Sequence, residues 1–194
     1  GPLLLLAGAG SGKTRAVTYL FSYLIEEAGV RPWNFLAITF TNKAAEEMRA
    51  RVNGLVNKGA DSVWVSTFHS MCVRILRRFI ENIGYETDFS IYDSDDSRTL
   101  MKQILKDRDV NPKQYRERDV LGIISAAKNE MVSPEEYMDN ARAAGDWRGQ
   151  MIGELYLEYQ NRLKKNNALD FDDLLVKTVE LFTASKEILD YYQE

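Results

Sequence analysis

Eight residues near the start constrain this chain most: Ala7-Gly8-Ala9-Gly10-Ser11-Gly12-Lys13-Thr14. They follow a short apolar run, residues 3–7, and open a helical pattern over about residues 13–28. A strand, a glycine-rich turn and a helix in that order form the setting of a phosphate-binding loop. Glycines there let backbone N–H groups turn inward and approach phosphate oxygens closely. The helix start adds free N–H donors and the positive end of its dipole. Lys13 can reach the β- and γ-phosphates, and the Thr14 hydroxyl can ligate Mg²⁺. Ala7 stands where the strict pattern has glycine, and a residue that small still fits. By itself the motif says only that a nucleoside triphosphate binds; kinases, GTPases, transporters and helicases all remain open.

Beyond the loop, strand and helix patterns alternate. Residues 35–39 form a second apolar run. A helical pattern follows, with Ala45, Met48, Val52, Leu55 and Val56 on one face. Residues 63–66 form a third short strand, and a third helix groups Phe68, Cys72, Ile75, Leu76 and Phe79 at helical spacing. This order predicts an α/β fold, a parallel sheet with helices on its faces. From about Glu86 strand signals become scarce. Helices are predicted over 94–108, 118–129, 134–144 and 150–166, with breaks at Asn111-Pro112 and Ser133-Pro134. The second break reads as an N-cap followed by proline at the first helical position. Residues 169–173 open one more helix, running to about Thr183. The organisation expected is an ATP-binding α/β domain beginning in 1–85, an inserted all-helical subdomain over 86–168, and a return to the first domain over 169–194.

The formal net charge of −4 argues at first against nucleic acid. Its distribution does not: residues 1–85 carry +4, residues 86–168 carry −3 and residues 169–194 carry −5. A phosphate-binding surface needs local positive charge, not a basic whole. No apolar run approaches the length of a membrane span and no secretion leader is recognisable, so no membrane partner is expected and a cytoplasmic location is. Cys72 is the sole cysteine, which excludes an internal disulfide, and one histidine with one cysteine argues against structural zinc.

Three further segments narrow the reading. Ile38-Thr39-Phe40-Thr41-Asn42-Lys43-Ala44-Ala45-Glu46-Glu47-Met48 resembles motif Ia of superfamily 1 DNA helicases of the UvrD/PcrA/Rep family. Ser66-Thr67-Phe68-His69-Ser70 resembles their motif Ib. Leu169-Asp170-Phe171-Asp172-Asp173-Leu174-Leu175 resembles the block that returns the chain from their inserted subdomain. Order and spacing match over essentially the whole chain. The resemblance implies a RecA-like P-loop NTPase sheet. It implies that Ala7, Gly8, Ala9, Gly10, Ser11, Gly12, Lys13 and Thr14 bind ATP·Mg²⁺, with Lys13 and Thr14 serving the chemistry and Arg15 packing against adenine. Phe40 would stack or wedge in a single-strand channel, and Thr41, Asn42, Thr67 and His69 would hold the DNA backbone. The insertion would touch the duplex ahead of the fork, so single strands and single-/double-strand junctions are the expected partners. The whole enzyme would move 3′ to 5′ on single-stranded DNA and separate duplexes in repair or replication.

Read from the residues alone, several of these roles have plainer alternatives. Phe40, just after a strand, faces the crevice where α/β sheets hold ligands, yet it also suits a core position at a strand end. Stacking on an aromatic is worth about 1–3 kcal/mol per base. His69 is a DNA contact or a hydrogen-bonded structural group, not a catalyst. Cys72 falls on the apolar stripe, where packing is the default. Arg74, Arg77 and Arg78 share the opposite face, read first as a solvated surface. Asp170, Asp172 and Asp173 read as a helix start, with Asp170 or Asp172 as cap, in preference to a metal site.

An ATPase of this type needs an acidic pair, one carboxylate for Mg²⁺ and one to orient water. No Asp-Glu dipeptide occurs in the chain. The family's upstream adenine-contacting glutamine and second motor domain are absent as well. The expectation is therefore the N-terminal piece of a larger enzyme, monomeric, binding nucleotide and single strands weakly without turning ATP over. Competing readings are part of a RecB/AddA-type helicase–nuclease, a non-catalytic nucleotide-dependent DNA-binding module, and an unrelated P-loop kinase. The kinase leaves Phe40 and residues 67–70 unexplained.

Overall fold

A computed structural model describes residues 4, 6, 8, 10–56 and 59–193. The chain divides into two compact units, residues 1–71 and residues 72–193.

The first unit contains α1 (Lys13–Glu26), β1 (Leu36–Thr39), α2 (Asn42–Leu55), β2 (Trp64–Thr67) and the start of α3 (Phe68–Phe79). β1 and β2 pair in parallel, with Ala37 opposite Val65 and Thr39 opposite Thr67. Helix α2 lays Ala45, Met48 and Val52 onto Ala37, Val63 and Val65, and Phe21 and Ile25 of α1 pack against the same core. The stripe expected on α2 is therefore the buried one, with Leu55 at its margin. Arg49 of α2 donates to the Val65 carbonyl at 2.9 Å and so satisfies a sheet acceptor.

One expected element is corrected. Leu4 and Leu6, described residues of the apolar run at 3–7, lie in no strand and are 78% and 87% exposed. A strand needs a ladder partner, and among the described residues β1 and β2 pair only with each other. Leu3, Leu5 and Ala7 of that run lie outside the described residues.

The second unit takes the rest of α3 and then β3 (Ser90–Ile91), α4 (Ser94–Asp107), α5 (Glu117–Asn129), α6 (Pro134–Ala143), α7 (Trp147–Lys165), β4 (Ala168–Leu169), α8 (Phe171–Ala184) and α9 (Lys186–Gln193). Its core joins Met101, Ile104 and Leu105 of α4, Val120 and Ile124 of α5, and Leu155, Tyr159 and Leu163 of α7. Polar side chains start the helices: Asp93 closes a capping box on α4, Ser133 accepts from the Glu136 N–H at 3.1 Å with Pro134 next to it, and Asp146 accepts from Gly149 at 2.9 Å. Each such cap is worth about 1 kcal/mol. Gly153 lets α6 lie close on α7, because a Cβ there would collide with Met138.

Two strands inside this region went unpredicted. β3 and β4 pair in parallel through Ser90 with Ala168 and Ile91 with Leu169. Asn167, at φ 45, ties the same place from its side chain: its Oδ1 accepts from the Glu86 N–H at 3.0 Å and its Nδ2 donates to Asp88 at 3.0 Å. The segments that flank α4 to α7 are thus stitched together at one point. A strand of two residues carries no periodicity to read. Helix α9 was also unpredicted.

Candidate functional site

The loop is built on the head of α1. Gly10 and Gly12 have φ of 74 and 86, a left-handed backbone that side-chain-bearing residues adopt only with strain. Gly12 occupies the N-cap of α1 without a side chain to cap it, and the first turn carries no acidic residue. No capping side chain and no acidic residue of the first turn therefore competes for the head of this helix. Ser11 Oγ donates to the Gly8 carbonyl at 2.7 Å, and Lys13 Nζ reaches back to the same oxygen at 2.7 Å. The Lys13 amine is thus held over the loop rather than extended away from it. Thr14 is exposed on the first turn. Arg15 lies over the Tyr19 ring, its guanidinium carbon 5.4 Å from the centroid. Ala7 and Ala9 lie outside the described residues.

The second group of candidates meets at the C-terminal edge of the β1–β2 pair. Thr39 and Thr67 are register partners, so Phe40 and Phe68 leave the sheet side by side. Phe40 is 91% exposed, which settles its alternative reading: it is not a core residue at a strand end. Thr41 caps α2, its Oγ1 accepting from the Ala44 N–H at 3.2 Å, and Asn42 is the first exposed residue of that helix. Thr67 is buried; its hydroxyl donates to Ser70 Oγ at 2.9 Å and accepts from the Ser70 N–H at 3.3 Å. His69 is half-buried in the first turn of α3. The loop and this edge stand on different elements of one unit, and α1 and α2, which follow them, pack together.

Comparison with known proteins fits this geometry. The family model described as UvrD/REP helicase N-terminal domain matches residues 1–194. The chain belongs to the UvrD/REP helicase N-terminal domain family. Among its relatives, the ATP-dependent DNA helicase PcrA of Bacillus subtilis is 53% identical over 193 residues, covering 100% of this chain and 26% of the relative. The PcrA helicases of Staphylococcus epidermidis and Staphylococcus aureus are 50% and 49% identical over the same 193 residues, with the same coverage. The chain spans about a quarter of the length of these relatives.

Three features of this UvrD/REP helicase domain escaped the reading of its sequence. The first is Phe68. Expected on the buried stripe of α3, it is 40% exposed and meets Phe40, ring centroids 5.6 Å apart and planes 43° apart. The signal was present: Thr-Phe ends both parallel strands. The second is a buried charge cluster. Lys128 of α5, 2% exposed, lies 2.6 Å from Asp170 and 2.9 Å from Asp173. Tyr159 donates to Asp170 at 3.0 Å, and Gln160 to Asp173 at 3.2 Å. Asp170 also caps α8, accepting from the Asp173 N–H at 2.9 Å, as its place in the sequence suggested. Burial pushes the Asp173 carboxyl up, and the Lys128 charge opposes that rise. Burial and then the Asp170 charge push the Tyr159 hydroxyl up, which keeps it a donor. Among the described residues no group of three His, Cys, Asp or Glu side chains could hold a metal ion.

The third is the arginine face of α3. Arg77 and Arg78 are exposed but engaged: Arg77 donates to the Thr87 carbonyl at 2.7 Å and covers the Phe89 ring, and Arg78 donates to the Tyr191 hydroxyl at 3.0 Å. A plainly solvated surface is therefore not what they form. Cys72 is buried, and burial pushes its thiol up, consistent with packing. Among the described residues no helix is long and apolar enough to cross a membrane.

Proposed function

We propose that this chain binds ATP and single-stranded DNA as the first part of an ATP-dependent DNA helicase that moves 3′ to 5′ and opens duplexes at single-/double-strand junctions. The observation that carries this is the parallel edge where two Thr-Phe segments emerge together, in the same unit as an uncapped helix headed by the glycine loop. The relatives named above are called ATP-dependent DNA helicases, which agrees with it. None of those names describes a nuclease.

The loop residues fit a triphosphate. Two glycines hold left-handed backbone, the helix N–H groups have no internal acceptor from a cap, and the Lys13 amine is poised over the loop. Gly8, Gly10, Ser11 and Gly12, with Ala7 and Ala9, would surround the phosphates through backbone N–H groups, Lys13 would neutralise them, and Thr14 would hold Mg²⁺. Arg15 would turn from Tyr19 to the adenine. ATP supplies the free energy for movement along the strand. Phe40 would stack on bases while Thr41, Asn42, Thr67 and His69 contact the sugar–phosphate backbone, which positions a strand without reading its sequence.

In this reading the β1–β2 pair belongs to a RecA-like P-loop sheet. Residues 1–85 and 169–194 would belong to the motor domain and 86–168 to the inserted subdomain; the bonds between Glu86 and Asn167 tie the ends of that insertion together, while by compactness residues 72–85 and 169–193 group with it. The chain acts as a monomer in the cytoplasm, on DNA.

The test is titration of a fluorescent ATP analogue with Mg²⁺ into the protein and into Lys13→Ala. Loss of the charged hydrogen bonds should weaken binding about 10- to 100-fold. Equal binding by both would refute the loop assignment. Because no Asp-Glu pair is present, the 194-residue chain should show no ATP turnover above the Lys13→Ala background. Turnover that single-stranded DNA stimulates and Lys13→Ala abolishes would place a catalytic acid elsewhere in the chain.

A further inference from the structure

We propose that Phe68 is a positioning residue for Phe40: its ring holds the Phe40 ring in one orientation at the sheet edge, and a base then stacks on Phe40 alone. This rests on the single-strand reading of that edge and adds to it a residue outside the set proposed to touch DNA.

The two phenylalanines begin from equal positions, since Thr39 and Thr67 are paired in parallel register. Their backbones then diverge. β2 passes straight into α3, with Phe68 as the first helical residue, and the Thr67 hydroxyl accepts from the Ser70 N–H. β1 places Phe40 and Thr41 in a bend before α2 begins at Asn42, and the Thr39 hydroxyl donates to the Thr41 carbonyl at 3.1 Å across it. Phe68 is therefore carried by a capped helix, whereas Phe40 stands on a bend and is 91% exposed.

A side chain that exposed has little packing to select a rotamer. Among the described residues Phe40 meets the Phe68 ring at 5.6 Å, tilted by 43°, within the range in which aromatic pairs attract. A base inserted between two rings needs them parallel and farther apart, so these two do not form a sandwich. The outer face of Phe40 is left for the ligand. Holding that ring in advance removes the cost of ordering it when a base arrives.

Single-stranded oligothymidine with a fluorescent end is the probe, read by anisotropy against the full chain. Phe68→Leu keeps an apolar side chain but removes the ring, and should weaken binding about 3- to 10-fold, the worth of an aromatic pair. Phe68→Tyr keeps the ring and should restore wild-type affinity. Phe40→Leu should weaken binding more, and adding Phe68→Leu to it should weaken it no further. Equal losses from Phe68→Leu with and without Phe40 would mean that Phe68 meets the strand independently, and would overturn the proposal. So would no loss from Phe68→Leu where Phe40→Leu causes one. If the wild-type protein does not bind the probe, the single-strand reading fails, and the positioning role is decided by NMR of the Phe40 ring protons. Collapse of their dispersion toward free phenylalanine in Phe68→Leu, with the backbone unchanged, would sustain it. Unchanged ring shifts would overturn it.

Discussion

The sheet edge of the first unit and the Lys128 cluster of the second both collect polar and aromatic side chains, yet they differ in whom those side chains address. At the edge, hydroxyls bond to groups two or three residues away: Thr39 to Thr41, Thr41 to Ala44, Thr67 to Ser70. These bonds shape two strand-to-helix junctions and leave Phe40 facing solvent. In the cluster, Lys128 reaches Asp170 across 42 positions of sequence, and Lys128 and Asp173 are both buried. A buried charge whose partner is removed keeps its desolvation cost, whereas an exposed group that loses a partner turns to water. The edge can therefore spend its chemistry on a ligand, and the cluster must spend it on α5, α7 and α8.

The largest effect should come from breaking the cluster. Lys128→Met leaves Asp170 and Asp173 buried without their cation and should destabilise the second unit by about 3–5 kcal/mol, read by urea denaturation. Adding Asp170→Asn and Asp173→Asn should recover part of that loss, because two unpaired charges disappear together. A loss below about 1 kcal/mol, the range of an exposed pair, would erase the contrast with the edge.

That contrast also marks what could be read from the sequence. The start of α1 after the glycines, the Ser133-Pro134 helix start and the Asp170 cap are local patterns, and each was legible because cause and effect lie within a few residues. So were α4 to α8, helices of ten to nineteen residues with apolar spacing along them. Lys128 was not legible. It sits in a helix next to Ala126 and Ala127, and nothing nearby says that its amine faces two carboxylates far down the chain. Phe68 misled for a related reason: helical spacing placed it with Cys72 and Leu76, but a first-turn residue beside a strand edge is set by the sheet register. The paired strands at Ser90 and Ala168 depend on residues nearly eighty positions apart.

A middle-sized effect belongs to the edge itself. Thr41→Ala removes the acceptor for the Ala44 N–H at the start of α2 and should cost about 1 kcal/mol of stability in the first unit. Thr41→Ser keeps the oxygen and should cost a few tenths at most. If Thr41→Ala cost as much as Lys128→Met, the edge would be as structural as the cluster, and its availability to a ligand would be in question.

The smallest effect concerns an ion pair that is neither local nor buried, Asp107 with Arg162. Arg162 Nη1 lies 2.7 Å from Asp107, and Gln103 donates to the same carboxylate at 2.6 Å. The Arg162 hydrogen bond first, and then that of Gln103, hold the Asp107 carboxyl below its ordinary value. A depressed carboxyl contributes stability that is present above its unfolded pKa and is lost as pH falls through the folded one. An NMR titration of the Asp107 side-chain carbon should give a midpoint below the usual aspartate range, and Arg162→Met should raise it. High salt separates this pair from the cluster. Asp107 is solvent-exposed, so about 1 M salt, with a Debye length of about 3 Å, should move its midpoint toward the ordinary value. The cost of Lys128→Met should change far less with salt, because buried charges are screened much less than exposed ones. Equal salt sensitivity at both places would mean that the Lys128 cluster opens to solvent, and that burial is not what divides the two regions.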